Sequence, residues 1–158
     1  EQPTGGVKPG TGAVSAVKPA AKPAVAAPAA AGESAAYQTA YNSLIKQADA
    51  VAASRQFQDF LQAYPDSKLA PNAWYWLGES YYITQNYALA LKSFDILNQR
   101  FPDSNKAPDA LLKTAYCHIE LKEVDKGKKE LEQLIVKYPN HPVAEMARGR
   151  LRGLNLGQ

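Results

Sequence analysis

Pro65, Pro102 and Pro139 stand 37 residues apart in both steps, and each follows an aromatic residue: Tyr64, Phe101 and Tyr138. Proline has no backbone donor and pushes the residue before it out of the α region, so each of these pairs marks the end of a helix. A fixed pitch over three units makes the chain an array of short supersecondary units, none able to bury its apolar face without a neighbour. Pro71 and Pro108, six residues further on, each open the next helix, where the first-turn N–H groups have no intrahelical partner and a proline is tolerated. The stretches YPDSKLAP and FPDSNKAP are therefore corners that stop one helix and start another.

The contents of the unit identify it. The middle copy carries Trp74, Leu77, Gly78 and Tyr81, then Ala90, Phe94 and Pro102, which fills the tetratricopeptide pattern W-x2-L-G-x2-Y…A-x3-F…P. Shifting by one period places Ala53, Ala90 and Gly127 in one column, Phe57, Phe94 and Leu131 in a second, and Phe60, Leu97 and Leu134 in a third. Small residues allow two helices to cross closely, and large ones fill the space between their faces. The expected fold is all-α: a right-handed superhelix of three tetratricopeptide-like hairpins and a C-terminal capping helix, about seven helices. The pairs fall near 34–47 with 50–63, 71–84 with 87–100, and 108–121 with 125–137. The repeats run about 34–65, 71–102 and 108–139 within a domain of 34–158. Asp49 and Asn86 share a column where a short acceptor side chain caps the second helix of a pair. A capping helix near 143–153 is expected to bury Val143, Met146, Ala147 and Leu151 and to keep Arg148, Arg150 and Arg152 wet. Tyr41, in the Gly78 column, is expected to force the first pair slightly apart.

Ahead of the repeats, residues 1–33 contain ten Ala, five Pro and five Gly, and no aromatic, Leu or Ile. So little bulky apolar surface cannot offset the entropy of ordering, and this stretch reads as a flexible linker spanning roughly 30 Å as a coil. The chain starts at Glu1 without Met, as a processed or trimmed product would. No run of apolar residues is long enough to span a bilayer, so direct membrane insertion is not expected.

The net charge of +3 gathers into no basic stripe, which argues against a nucleic-acid partner. Cys117 is the only cysteine, which excludes an internal disulfide and a thiolate metal cluster. Cys117 and His118 are helix neighbours about 100° apart and cannot face one substrate together, so they read as a buried thiol and an interface residue of the Tyr81 column. A zinc site joining His141 to Cys117, His118 and a carboxylate would lack any ligand motif. Phosphate loops and nucleophile elbows do not occur. The sequence thus points to no catalytic residue, no metal and no cofactor.

A stack of helical hairpins binds along the face lined by its first helices. The residues expected there are Asn72, Tyr75, Trp76, Glu79, Tyr82 and Ile83 in the second repeat, and Asp109, Leu112, Lys113, Tyr116, Ile119 and Glu120 in the third. Gln38, Asn42, Ile45 and Lys46 continue the face into the first. Rigid aromatics mixed with single charges of both signs suit a protein partner better than phosphate. For Tyr75 and Leu112 a second reading stays open, in which they complete the contact between repeats.

NAWYWLGESYYITQNYALALKSF followed by FPDSNKAPDALLKTAYCHIELK resembles the C-terminal repeat domain of the CpoB (YbgF) family, the Tol-Pal-associated cell division coordinators of Gram-negative bacteria. APDALLK and WYWLGE are its most specific portions, and the resemblance covers about residues 34–153. It implies a periplasmic adaptor that binds TolA and a bifunctional peptidoglycan synthase. It also implies a linker over 1–33 and, ahead of it, a trimerising coiled coil that this sequence does not include, so the fragment is expected to be monomeric. The sequence departs from the family at QADAVAASRQF, which lacks the usual glycine and tyrosine turn, and at Gly127. A second likeness is to the lipoprotein of the outer-membrane barrel assembly machinery, whose repeats also carry Tyr-Pro-x-Ser corners. A self-associating structural module is the remaining alternative.

Overall fold

A computed structural model of the chain describes residues 27–157. They form seven helices in sequence: α1 (Ala27–Ile45), α2 (Ala50–Ala63), α3 (Ala70–Ile83), α4 (Tyr87–Arg100), α5 (Ala107–Glu120), α6 (Val124–Lys137) and α7 (Pro142–Leu156). Each packs on its neighbours in the chain, and α1 also touches α3, as α5 touches α7. Contacts and ion pairs that skip a helix join first helices, α1 with α3, Lys113 of α5 with Glu79 of α3 and Arg150 of α7 with Glu120 of α5, so the first helices line the inner side of the stack. The all-α hairpin array expected from the 37-residue pitch is the observed architecture.

The corners repeat atom for atom. The C-cap residues Tyr64, Phe101 and Tyr138 leave the helix at φ −131°, −133° and −129°, each donating its N–H back to the residue four earlier. Two residues after each proline, Ser67 and Ser104 accept from the N–H of Leu69 and Lys106 through their hydroxyls, at 2.9 and 3.1 Å. His141 fills the same position in the third corner, and its Nδ1 accepts from the Val143 N–H at 3.2 Å. An imidazole nitrogen thus replaces a serine hydroxyl without changing the turn. The connection inside each hairpin is equally regular: Ala48, Gln85 and Lys122, one period apart, all have φ between 53° and 70°. The left-handed region suits glycine, and none of these residues is one, so their composition gives no sign of the turn.

Two glycines set the distance between paired helices. A Cβ on Gly78 would stand 2.5 Å from the buried Phe94 ring, and one on Gly127 would stand 2.5 Å from Ile119 Cγ1 and 2.8 Å from the Ala115 carbonyl oxygen. Around these crossings Ala53, Ala90, Phe57, Phe94 and Leu131 are all fully buried.

Several expectations are corrected. Residues 27–33 are helical rather than linker, and the expected linker over 1–26 lies outside the described residues. The run is alanine-rich, which favours a helix, and its end is anchored where Ser67 of the first corner hydrogen-bonds to the Glu33 carboxylate. Asp49 caps α2 by accepting from the Ala52 N–H at 2.9 Å, but Asn86 does not cap α4 and instead donates to Thr84 Oγ1 at 2.9 Å. Met146, expected inside, is half exposed, because α7 packs through Val143, Ala144 and Ala147. Helix α7 runs on to Leu156, past the expected end near 153. Arg150 turns back to the stack rather than out to water. Tyr41 meets Trp76 of α3 edge-on at 5.3 Å. Where Gly78 and Ala115 allow a second helix to cross, α7 carries the exposed Arg152, a bulky charge unsuited to such a crossing.

Candidate functional site

The inner face is joined across the repeats by one column, Trp76, Lys113 and Arg150, whose members each reach back to the preceding first helix. The Trp76 ring lies against Tyr41 of α1. Lys113 of α5 pairs with Glu79 of α3 at 2.8 Å and sits 5.2 Å from the centre of the Tyr82 ring. Arg150 of α7 pairs with Glu120 of α5 at 3.3 Å and covers Tyr116 at 5.7 Å. A third cation, Lys106 from the corner before α5, lies 4.8 Å from the Tyr75 ring and 5.1 Å from that of Trp76. Cations over aromatic faces at these distances are attracted by the ring quadrupole, and more strongly where water is partly excluded.

The expected face is therefore assembled, but not all of it is available. Leu112, Ile119 and Tyr75 are 1%, 6% and 9% exposed. Leu112 belongs to the core that α7 closes with Val143 and Ala147, and Ile119 lies across Gly127. For Leu112 and Tyr75 the packing reading holds, and the expectation that Leu112 and Ile119 meet a partner is withdrawn. Helical spacing alone could not separate them from their exposed neighbours, because the covering helix belongs to the next repeat. Asn42, Asn72, Trp76, Glu79, Tyr82, Asp109, Lys113, Tyr116 and Glu120 are half-buried along the face, and Ile83 is 59% exposed. Gln38, Ile45 and Lys46 are exposed on the first repeat. Sequence reading missed Tyr41, Lys106 and Arg150. The signal for Arg150 was its place one period after Lys113, whereas Lys106 is a corner residue with no pattern to mark it.

The electrostatics of this face are those of a sheltered, neutral surface. Burial pushes the Tyr75 and Tyr82 hydroxyls well above the ordinary phenol range, with Glu79 and Asp109 adding to the effect at Tyr75 and Glu120 at Tyr82. Burial also raises Tyr116, against the opposing charge of Arg150. All three remain hydrogen-bonding phenols at neutral pH. Behind them, Cys117 is fully buried and its thiol is pushed up to about 12, mainly by burial, so it is held as an inert thiol. His118 is also buried and turns away from the face toward Glu130. Among the described residues no three His, Cys, Asp or Glu side chains converge as metal ligands, and no helix is long and apolar enough to cross a membrane.

Known proteins similar to this chain include an outer membrane protein assembly factor and a cell division coordinator. Over 73 residues it is 38% identical to the outer membrane protein assembly factor BamD of Neisseria gonorrhoeae, a match covering 46% of this chain and 27% of that protein. Over 36 residues it is 58% identical to the cell division coordinator CpoB of Pseudomonas putida, covering 23% of this chain and 13% of that one. These alignments thus span about a quarter or less of either relative. In three dimensions the chain is similar to the second TPR domain of human RPAP3, solved with an HSP70 peptide, with a TM-score of 0.63 at 12% identity over 77% of this chain and 97% of that one. That likeness establishes the fold alone. The model of the outer membrane lipoprotein family YfiO matches residues 72–156, more than half of the sequence, and the chain belongs to that family.

Proposed function

We propose that the chain is a non-enzymatic, periplasmic adaptor that holds a segment of another protein along its inner face. The observation that carries this is the division of labour on that face. Glu79 and Glu120 are already paired with Lys113 and Arg150, while the half-buried rings of Trp76, Tyr82 and Tyr116 and the exposed Ile83 border the same surface. An ionic partner would have to break pairs already made, whereas aromatic and apolar contacts add to them. Recognition then rests on ring edges, tyrosine hydroxyls and the Asn42 and Asn72 amides.

For the partner, the CpoB resemblance and the 58% identity over 36 residues favour the Tol-Pal system, with TolA and a bifunctional peptidoglycan synthase as the proteins held. A second reading, in which the partners are those of an outer-membrane assembly factor, is favoured by the family match over 72–156.

Pull-down from a periplasmic extract with the whole chain separates them: recovery of Tol-Pal components supports the first reading, and recovery of barrel-assembly components the second. With the recovered partner in hand, Tyr82→Ala and Tyr116→Ala are each expected to weaken binding roughly tenfold. Unchanged affinity in both variants would remove the inner face from consideration. Light scattering over a range of concentrations is expected to give a constant monomer mass, and a mass that grows would favour the self-associating alternative.

A further inference from the structure

Lys106 stands in a column that is otherwise apolar. One period before it is Leu69, partly buried against the core of α1, α2 and α3, and one period after it is Val143, 1% exposed in the core that α7 closes. A lysine at this place lays its stem along the corner and leaves an ammonium to be accommodated. The residue is half-buried, and its Nζ lies 4.8 Å from the centre of the Tyr75 ring and 5.1 Å from that of Trp76, two rings that meet edge to face at 5.0 Å. The ring quadrupoles attract the charge and fix where it sits. They offer no lone pair to its three N–H donors.

The two other cations of the inner face are satisfied differently. Lys113 reaches Glu79 at 2.8 Å and Arg150 reaches Glu120 at 3.3 Å, each while lying over a tyrosine ring. Among the described residues no carboxylate comes within 4 Å of the Lys106 ammonium, and Asp109, one turn along α5, stays outside that distance. The aromatic half of the arrangement is thus present at all three cations, and the acidic half is missing at one. A carboxylate arriving at Lys106 makes a charge-assisted bond without breaking an existing pair, which at Lys113 or Arg150 it could not do.

We propose that Lys106 receives an acidic side chain of the bound segment, an Asp or Glu flanked by apolar residues. The proposal deepens the reading of the inner face as the surface that holds a partner, and rests on it. Apolar neighbours of that acid have rings to lie against, because Trp76 borders the ammonium and Tyr41 meets Trp76 edge-on at 5.3 Å. A basic side chain is disfavoured at the same point by the charge already there. Lys106 then sets the register of the segment, since the other cations along the face carry their own acids.

The test uses the whole chain and two end-blocked peptides, Ser-Ala-Leu-Glu-Leu-Ala-Ser and its counterpart with Gln in place of Glu, followed through the indole N–H resonance of Trp76. The Glu peptide is expected to bind roughly fivefold more tightly, the contribution of one partly sheltered charged hydrogen bond, and added salt should narrow the gap. Lys106→Leu restores the residue of the first corner and should keep the fold while making the two peptides equal. Should it fail to fold, Lys106→Gln takes its place with the same expectation. Equal affinity of the two peptides for the natural chain would overturn the role of Lys106 and leave the inner face as the binding surface, whereas a Trp76 resonance that neither peptide moves would overturn both. A preference for Glu that survives loss of the Lys106 charge would also overturn the proposal.

Discussion

The second and third repeats share one backbone and solve the same crossing in opposite ways. In the second, the residue without a side chain is Gly78 on the first helix, facing the Phe94 ring. In the third it is Gly127 on the second helix, facing Ala115 and Ile119. What the hairpin requires is one missing Cβ per crossing, on either helix, and the large residue across the glycine differs: Phe94 in one case, Ile119 in the other. The two solutions are not equally tolerant, because Gly78 is crowded by a side chain and Gly127 by a backbone carbonyl as well.

The largest effects should come from the large residue of the Phe57, Phe94 and Leu131 column. Phe94 and Leu131 are both fully buried, so Phe94→Ala is expected to cost about 3–5 kcal/mol and Leu131→Ala about 2–5 kcal/mol in urea unfolding, from lost transfer energy and the cavity left behind. Equal midpoints for Phe94→Ala and the natural chain would mean that the column does not hold the hairpin together.

Next come the glycines. Gly78→Ala and Gly127→Ala each force a Cβ into contact closer than packed atoms accept, an overpacking cost of about 1–3 kcal/mol, reduced by the better helix propensity of alanine. The comparison sharpens in a double-mutant cycle. Phe94→Leu gives the second repeat the large residue of the third, so Gly78→Ala should cost less in that background than alone. For Gly127→Ala no such rescue is expected from changing Leu131, since the Ala115 carbonyl stays in place. Additivity within about 0.5 kcal/mol in the Gly78 and Phe94 cycle would show that the ring is not what the glycine accommodates.

The inner-face column gives a smaller contrast. Lys113 and Glu79 are 19% and 16% exposed, whereas Arg150 and Glu120 are 37% and 30% exposed. Partly exposed pairs contribute up to about 1 kcal/mol. Lys113→Ala should therefore destabilise more than Arg150→Ala, and added salt should weaken the effect at Arg150 first. The reverse order would mean that Arg150 acts by packing over Tyr116 rather than by its charge.

How much of this was legible follows from where the 37-residue pitch speaks. Proline, the preceding aromatic and the small and large columns placed the helices of the repeats to within a residue or two at most boundaries, because helix ends and crossings are fixed by local sterics. Ala27–Glu33 was misplaced because alanine is compatible with both linker and helix, and its anchor, Ser67, is remote in sequence. On the inner face, the pitch showed which residues share a column but not which are covered. Leu112 and Tyr116 occupy neighbouring turns of α5, yet α7 buries the first and leaves the second half open. The turn column of Ala48, Gln85 and Lys122 was invisible because the left-handed conformation is held there by the surrounding hydrogen bonds rather than by glycine.

The smallest expected effect concerns the corners, where the third repeat again differs from the others in chemistry and not in shape. Ser67, Ser104 and His141 all accept from the N–H two residues on. His141→Ser should then be close to neutral, within about 0.5 kcal/mol, because it restores the acceptor used twice elsewhere. His141→Ala leaves the Val143 N–H unpaired at the start of α7 and should cost about 1 kcal/mol, as loss of an N-terminal cap does. Thermal unfolding of the natural chain, His141→Ser and His141→Ala at neutral pH checks this order, and equal midpoints for all three would show that the hydrogen bond from Val143 contributes nothing measurable and that the corner is set by Pro139 and Tyr138 alone.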